Sequence, residues 1–244
     1  MSSLAYPTET FATRLARVEG AIAAACRHAG RPRDAVRLMA VSKTHPAAAI
    51  AEAVAAGITL FGENRVQEFQ QKSEDLAMLG IRNAEVRLIG HLQSNKSAKA
   101  AEVFSAIDTV DSLHLAQRLE AAAAPLGKTL PILAEIKLSD EAAKTGLIPE
   151  GDQLRELLEH LPDLPHLEMR GLMTIAPFTC DEAITRNCFR SLRSLRDELA
   201  AAHPRLDFSE LSMGMSGDFA IAIEEGSTCV RIGTALFGAR EARP

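Results

Sequence analysis

The stretch Leu38–Pro46 reads LMAVSKTHP, an apolar run that ends in a lysine, with a proline three residues later. A neutral lysine amine attacks a carbonyl carbon and forms an imine with loss of water. Lys43 can do this if its surroundings lower its pKa, by desolvation or by nearby cations. Taken alone, a solvated charge at a strand end is the simpler reading. Two later stretches add a second kind of chemistry. SMG at Ser212–Gly214 and RIGT at Arg231–Thr234 are small, donor-rich turns. Glycine leaves backbone N–H groups open to an anion such as phosphate, and Ser and Thr add hydroxyl donors. The same residue types also serve ordinary strand-to-helix turns, where Gly supplies positive φ and Ser or Thr caps a helix.

A lysine at one strand end and a phosphate cradle across the mouth from it suit an aldehyde that carries a phosphate. Pyridoxal 5′-phosphate (PLP) fits that description. So does the substrate of a Schiff-base sugar-phosphate aldolase, and spacing does not separate the two.

The elements that must position these residues alternate along the chain. The segment from about Thr8 to Ala29 reads as a helix. Leu15, Val18, Ile22 and Ala25 keep helical spacing, and Gly30 and Pro32 stop it. Eight apolar stretches then read as strands: VRLMAVS, ITLFGEN, VRLIGHL, AIDTVDS, LPILAEIKL, LEMRGLMTIA, FSELSMG and TCVRIGTALFG. Helical segments separate them, among them PAAAIAEAVAAG, NKSAKAAEVF and the stretch from Asp181 to Ala202, with Phe189, Leu192, Leu195 and Leu199 on one face. Strands alternating with helices imply a parallel sheet, and eight in a chain of 244 residues imply a closed (β/α)8 barrel. No linker or low-complexity block divides the chain, so residues 1–244 are expected to form one α/β domain.

Such a barrel places its site at the C-terminal ends of the strands. Reading off those ends gives Lys43; then Glu63 and Asn64; then His91; then Lys137; then Met173 and Thr174; then Ser212 and Gly214; and finally Arg231, Gly233 and Thr234.

Composition narrows the function classes. Asp and Glu number 32 against 27 Lys and Arg, for a net charge of −5. A nucleic-acid or anionic-membrane binder normally shows a basic surplus, so neither partner is expected. The four cysteines form no Cys-x-x-Cys pair and lie beside no histidine at zinc spacing. Reduced thiols, no metal site and a cytoplasmic protein are expected. No secretory leader and no apolar run of membrane-spanning length are seen. There is no heptad run or evident exposed apolar strip. Asn95, Lys96 and Lys99 in QSNKSAK are read as the solvated first turn of a helix.

Six motifs, AVSKTHP, FGENRVQEF, LIGHLQSNK, RGLMTIAP, LSMGMSGDF and GSTCVRIGTALFG, run in order from about Arg37 to Arg240. Together they resemble the YggS/PROSC family of PLP-binding homeostasis proteins. The resemblance implies a barrel like the N-terminal domain of bacterial alanine racemase, and a monomer. It implies PLP as cofactor and Lys43 as the Schiff-base lysine. It places the cofactor phosphate near Ser212, Gly233 and Thr234, puts Arg231 in the cofactor site, and puts Asn64 near the ring. Met173, at the end of the sixth strand, is counted with these cofactor-site residues. Two positions depart from the family pattern. Arg87 stands where His is common, and Lys137 stands where Asn is common. Lys137 either adds positive charge at the mouth, lowering the pKa of Lys43, or points to solvent. Lys144 and Gly146 still match.

Catalysis is not expected. A racemase needs a base on each face of the substrate α-carbon, and in racemases of related fold one is a tyrosine from a C-terminal β-domain. The sequence holds one tyrosine, Tyr6, and ends about ten residues after the eighth strand. His91 is the best remaining second base, and its simpler reading is a hydrogen-bonding loop residue. An Arg231 contact to a pyridine nitrogen would keep that nitrogen unprotonated and make the ring a poor electron sink. A contact to the phosphate or to a neighbouring carboxylate is the alternative. The expected function is therefore to hold PLP on Lys43 in vitamin B6 homeostasis, with apo-PLP enzymes as recipients. A PLP-dependent racemase- or lyase-like enzyme is the second reading, and a Schiff-base aldolase without PLP the third.

Overall fold

The computed structural model describes residues 9–139 and 145–238. Tyr6, Lys144 and Arg240 lie outside the described residues. The chain opens with α1 (Phe11–His28), capped by Thr10, whose hydroxyl oxygen accepts the N–H of Thr13 at 3.2 Å. Val18, Ile22 and Ala25 are buried on one face, as their spacing predicts, and Leu15 packs half-buried beside them.

The strand–helix alternation follows. It runs β1 (Arg37–Val41), α2 (Ala47–Ala55), β2 (Leu60–Glu63), α3 (Val66–Met78), β3 (Glu85–Leu88), α4 (Ser97–Val103) and β4 (Ala106–Val110). It continues with α5 (Leu113–Ala123), β5 (Leu130–Glu135), α6 (Asp152–His160), β6 (Leu167–Met173), α7 (Glu182–Ala202) and β7 (Glu210–Ser212). It ends with α8 (Phe219–Glu224), β8 (Cys229–Ile232) and the short α9 (Thr234–Phe237). All eight strands are parallel and close in sequence order into a barrel. The seam pairs Leu38 with Val230, Met39 with Arg231 and Ala40 with Ile232.

Several boundaries are tighter than the apolar runs suggest. The third strand stops at Leu88 rather than running through His91. Gly90 there lies so close to Asn64 that a Cβ on it would sit 2.4 Å from the Asn64 carbonyl oxygen. The segment NKSAKAAEVF opens with a 3-10 turn at Ser94–Lys96 before α4. Lys96 and Lys99 are half-buried, and Lys99 pairs with Glu102 at 2.6 Å.

The core has two layers, because successive strand residues face opposite sides. The outer layer, between strands and helices, includes Phe61, Leu88, Ile107, Leu172 and, from α7, Phe189 and Leu192. The inner layer, inside the barrel, is a small apolar group of Met39, Val41, Leu60, Ile89 and Cys229.

Below it, toward the N-terminal ends of the strands, lies a buried ionic group centred on Arg87. Its guanidinium donates to Glu85, the first residue of β3, at 2.7 Å and to Glu210, the first residue of β7, at 2.6 Å. Asp108 of β4 lies 3.7 Å away. Burial alone would lower the Arg87 pKa, but the surrounding carboxylates outweigh it and hold the charge. Arg87 thus stands at the end of the barrel remote from the strand ends that carry Lys43. Among the described residues, no helix is long and apolar enough to cross a membrane.

Candidate functional site

Lys43 follows β1 by two residues and is half-buried. Its two neighbours are held tightly. Ser42 is fully buried, and its hydroxyl donates to Glu63 at the end of β2, at 2.7 Å. Thr44 takes a left-handed backbone conformation, φ 68°, uncommon for a β-branched residue. Its N–H donates to Glu68 of α3 at 2.6 Å.

Lys72 joins these contacts. Its ammonium donates to the Ser42 carbonyl at 3.0 Å and to Glu63 at 2.8 Å, and it lies 2.8 Å from Glu68. Burial raises the Glu63 pKa, opposed by Lys72 and Ser42. Burial would also raise Glu68, but Lys72 and the Thr44 N–H more than offset it and its pKa falls. Lys72 was not among the residues singled out from the sequence, although the signal was there. Phe69, Lys72 and Leu76 keep helical spacing and all three are buried, so Lys72 sits on the apolar face of α3.

The β8 turn lies beside Lys43 rather than across the mouth from it, because the closed barrel makes β8 the neighbour of β1. Gly233 rests against Val41: a Cβ there would be 3.5 Å from both the Cβ and the carbonyl oxygen of Val41. Thr234 is exposed and begins α9, where a first-turn N–H has no partner within the helix. Phe237 of α9 stacks on His45 at 4.9 Å and packs at a tilt against Phe11 at 5.4 Å, which fastens the Lys43 turn to α9 and α1.

Arg231 is buried on β8, two residues before Gly233. Its guanidinium donates to the Ser212 carbonyl at 2.6 Å, the Ser212 hydroxyl at 2.8 Å and the Thr174 carbonyl at 2.7 Å. These partners are neutral, and among the described residues no carboxylate pairs with it. Burial lowers its pKa, with the more distant Asp108, Asp218 and Glu135 acting in opposition. Ser212 is therefore engaged with Arg231 inside the wall, not presented on an open turn. Met173, its register partner on β6, is also fully buried.

The β7 turn is built around Gly214, at φ 97°, where a Cβ would meet that of Ala222 at 2.6 Å. Ser216, which sequence spacing did not single out, ties this turn to α9 by accepting the Ala235 N–H at 3.4 Å.

The remaining strand ends surround these groups. Asn64 is half-buried and lines a cavity of about 280 Å3 with His91, Gln93 and Lys96. His91 lies 3.4 Å from Asp111, in keeping with a loop residue that has its own partner. Lys137 is half-buried, with its N–H bonded to the Leu147 carbonyl at 2.9 Å. It borders a cavity of about 150 Å3 with Glu135 and Thr145. Large apolar side chains are exposed nearby: Phe178 and Met215 line a surface groove after β6 and β7, and Ile184 lies on α7.

The model of the alanine racemase N-terminal domain family matches residues 14–241. The chain belongs to this family. It is 43% identical over 232 residues to a protein of Pasteurella multocida named pyridoxal phosphate homeostasis protein, covering 95% of this chain and 98% of that one. The likeness carried by the six motifs is thereby borne out. Solved structures of PipY from Synechococcus elongatus, without PLP and with PLP bound, match with TM-scores of 0.84 and 0.82 at 42% identity. Each covers 94% of this chain and all of PipY. An alanine racemase of Clostridium difficile matches at 17% identity with a TM-score of 0.70, over 93% of this chain and 57% of that one, and shares the fold.

Proposed function

We propose that this chain binds PLP at the C-terminal end of the barrel, holds it as a Schiff base on Lys43 without turning over a substrate, and serves intracellular PLP homeostasis. The observation that carries the reading is the adjacency of Lys43 to the Gly233–Thr234 turn. In PLP the aldehyde and the phosphate-bearing arm are on neighbouring ring carbons, so an amine and an anion site must also be neighbours. The β1–β8 pairing supplies that relation. The donor set fits as well: an exposed Thr hydroxyl, helix-start N–H groups and a buried guanidinium are complementary to a phosphate dianion and a polar ring. The names of the curated relatives and the PLP-bound PipY structure support the same ligand.

Each residue has a task in this reading. Lys43 supplies the amine and Thr234 the hydroxyl and N–H facing the phosphate. Gly233 lets the phosphate approach the backbone. Arg231, fixed by Ser212 and Thr174, faces the ring or phosphate with a charge that no carboxylate among the described residues neutralises by contact. Asn64 and Met173 border the ring. PLP when bound supplies an electrophilic aldehyde and an electron-accepting ring.

Two features support holding rather than catalysis. His91, the best second base in the sequence, is exposed on the loop after β3, and the one tyrosine of the sequence, Tyr6, precedes α1. A guanidinium facing the ring also disfavours ring protonation. Transfer of PLP to apo-enzymes, a cytoplasmic location and a monomeric state complete the proposal. The test is the absorption spectrum of protein purified with PLP, together with an amino-acid turnover screen. A Schiff-base band with no turnover above that of free PLP supports it, and steady turnover of any amino acid overturns the non-catalytic part.

A further inference from the structure

Lys43 lies between two residues that are both held, directly or through one carboxylate, by a single buried ammonium. Lys72 is 7% exposed, and its three N–H donors meet three acceptors: the Ser42 carbonyl, Glu63 and Glu68. Ser42 precedes Lys43 and is gripped twice, through its carbonyl by Lys72 and through its hydroxyl by Glu63. Thr44 follows Lys43, and its N–H is gripped by the same Glu68 oxygen that lies against Lys72. Thr44 also sits at φ 68°, a conformation that persists in a β-branched residue only where surrounding contacts enforce it. The bracket therefore fixes the direction in which the chain leaves β1, and with it the direction in which the Lys43 side chain departs.

We infer that Lys72 is a positioning residue for the Lys43 amine, acting through Ser42 and, by way of Glu68, through Thr44. It orients the nucleophile for attack on the aldehyde without touching the cofactor. The inference rests on the reading of Lys43 as the Schiff-base lysine. The step it serves is balanced in itself: the amine adds to the aldehyde carbon, the C=N bond forms and the carbonyl oxygen leaves as water. Orienting one reactant is worth orders of magnitude in rate, and a small misplacement loses much of it.

The experiment compares two ligands on wild type, Lys72→Met and Glu68→Ala. PLP forms the imine; pyridoxine 5′-phosphate has an alcohol in place of the aldehyde and cannot, although it presents the same phosphate and ring. Imine formation is followed by stopped-flow absorbance, and pyridoxine 5′-phosphate binding by calorimetry. Both variants are expected to form the imine at least about tenfold more slowly, with unchanged affinity for pyridoxine 5′-phosphate. Glu68→Ala decides the matter if Lys72→Met does not fold, since it releases Thr44 from the more exposed side of the bracket. A wild-type imine rate in a folded variant overturns the inference. So does a parallel loss of affinity for both ligands, which is the signature of general damage to the pocket. Borohydride reduction of the wild-type complex separates the two levels. Pyridoxyl on a residue other than Lys43 sinks the Schiff-base reading itself, whereas pyridoxyl on Lys43 with unaffected variants sinks only the role of Lys72.

Discussion

Gly233 rests against Val41, with room for a Cβ at 3.5 Å from the nearest Val41 atoms. This contact joins the last strand to the first and sets the helix-start turn beside the lysine. Because 3.5 Å is an ordinary van der Waals separation, a side chain at Gly233 does not by itself break the seam. Gly233→Asp should fold, and its carboxylate would face the incoming phosphate. PLP affinity is expected to fall by at least about tenfold, ~1.4 kcal/mol, in an absorbance titration, with little change in Tm. Unchanged affinity would mean that the phosphate is held elsewhere.

Arg231 carries both a structural and a binding load. Replacing it with Met leaves the Thr174 carbonyl and the Ser212 hydroxyl without their Arg231 donor in a buried site, and leaves the Ser212 carbonyl with only the Thr174 N–H. The apo-protein is expected to lose roughly 1–3 kcal/mol in urea unfolding. PLP binding should weaken as well, because the buried positive charge is gone.

Asp108 sets a pH dependence at the other end of the barrel. Neither of its oxygens has a hydrogen-bond partner among the described residues, and burial pushes its pKa up to about 7, against the pull of Arg87. The folded state therefore binds a proton more readily than the unfolded chain. The linked stabilisation is complete below the ordinary Asp range and is lost as pH rises through about 7. Compared with Asp108→Asn, wild type should lose stability between about pH 4 and pH 7, by about 1.4 kcal/mol per pKa unit crossed, and then run parallel. Urea unfolding of both proteins across that range checks the slope. Parallel curves throughout would place the Asp108 pKa near its ordinary value.

The barrel was legible because apolar strand runs and amphipathic helices alternate eight times, and burial on two faces leaves a clear trace in sequence. Even the three-residue β7 was marked by FSELSMG. Charged residues inside the barrel leave no such trace. Arg87, Asp108 and Glu210 look like surface residues in a linear reading, and only closure of the sheet brings β3, β4 and β7 around one guanidinium. Lys72 is hidden for a related reason. A lysine in a polar helical stretch reads as solvated unless its neighbours Phe69 and Leu76 are given weight. The candidate site residues were read from strand ends, but their mutual placement was not. Sequence order puts Lys43 and Gly233 at opposite ends of the chain, and the seam makes them neighbours.

The attachment of the cofactor to Lys43 is the claim on which the rest depends. Borohydride reduction of the PLP complex, followed by proteolysis and mass spectrometry, reads it directly. Pyridoxyl on the peptide that contains Lys43 is the predicted result. Pyridoxyl confined to another lysine, such as Lys137 or Lys96, would contradict it.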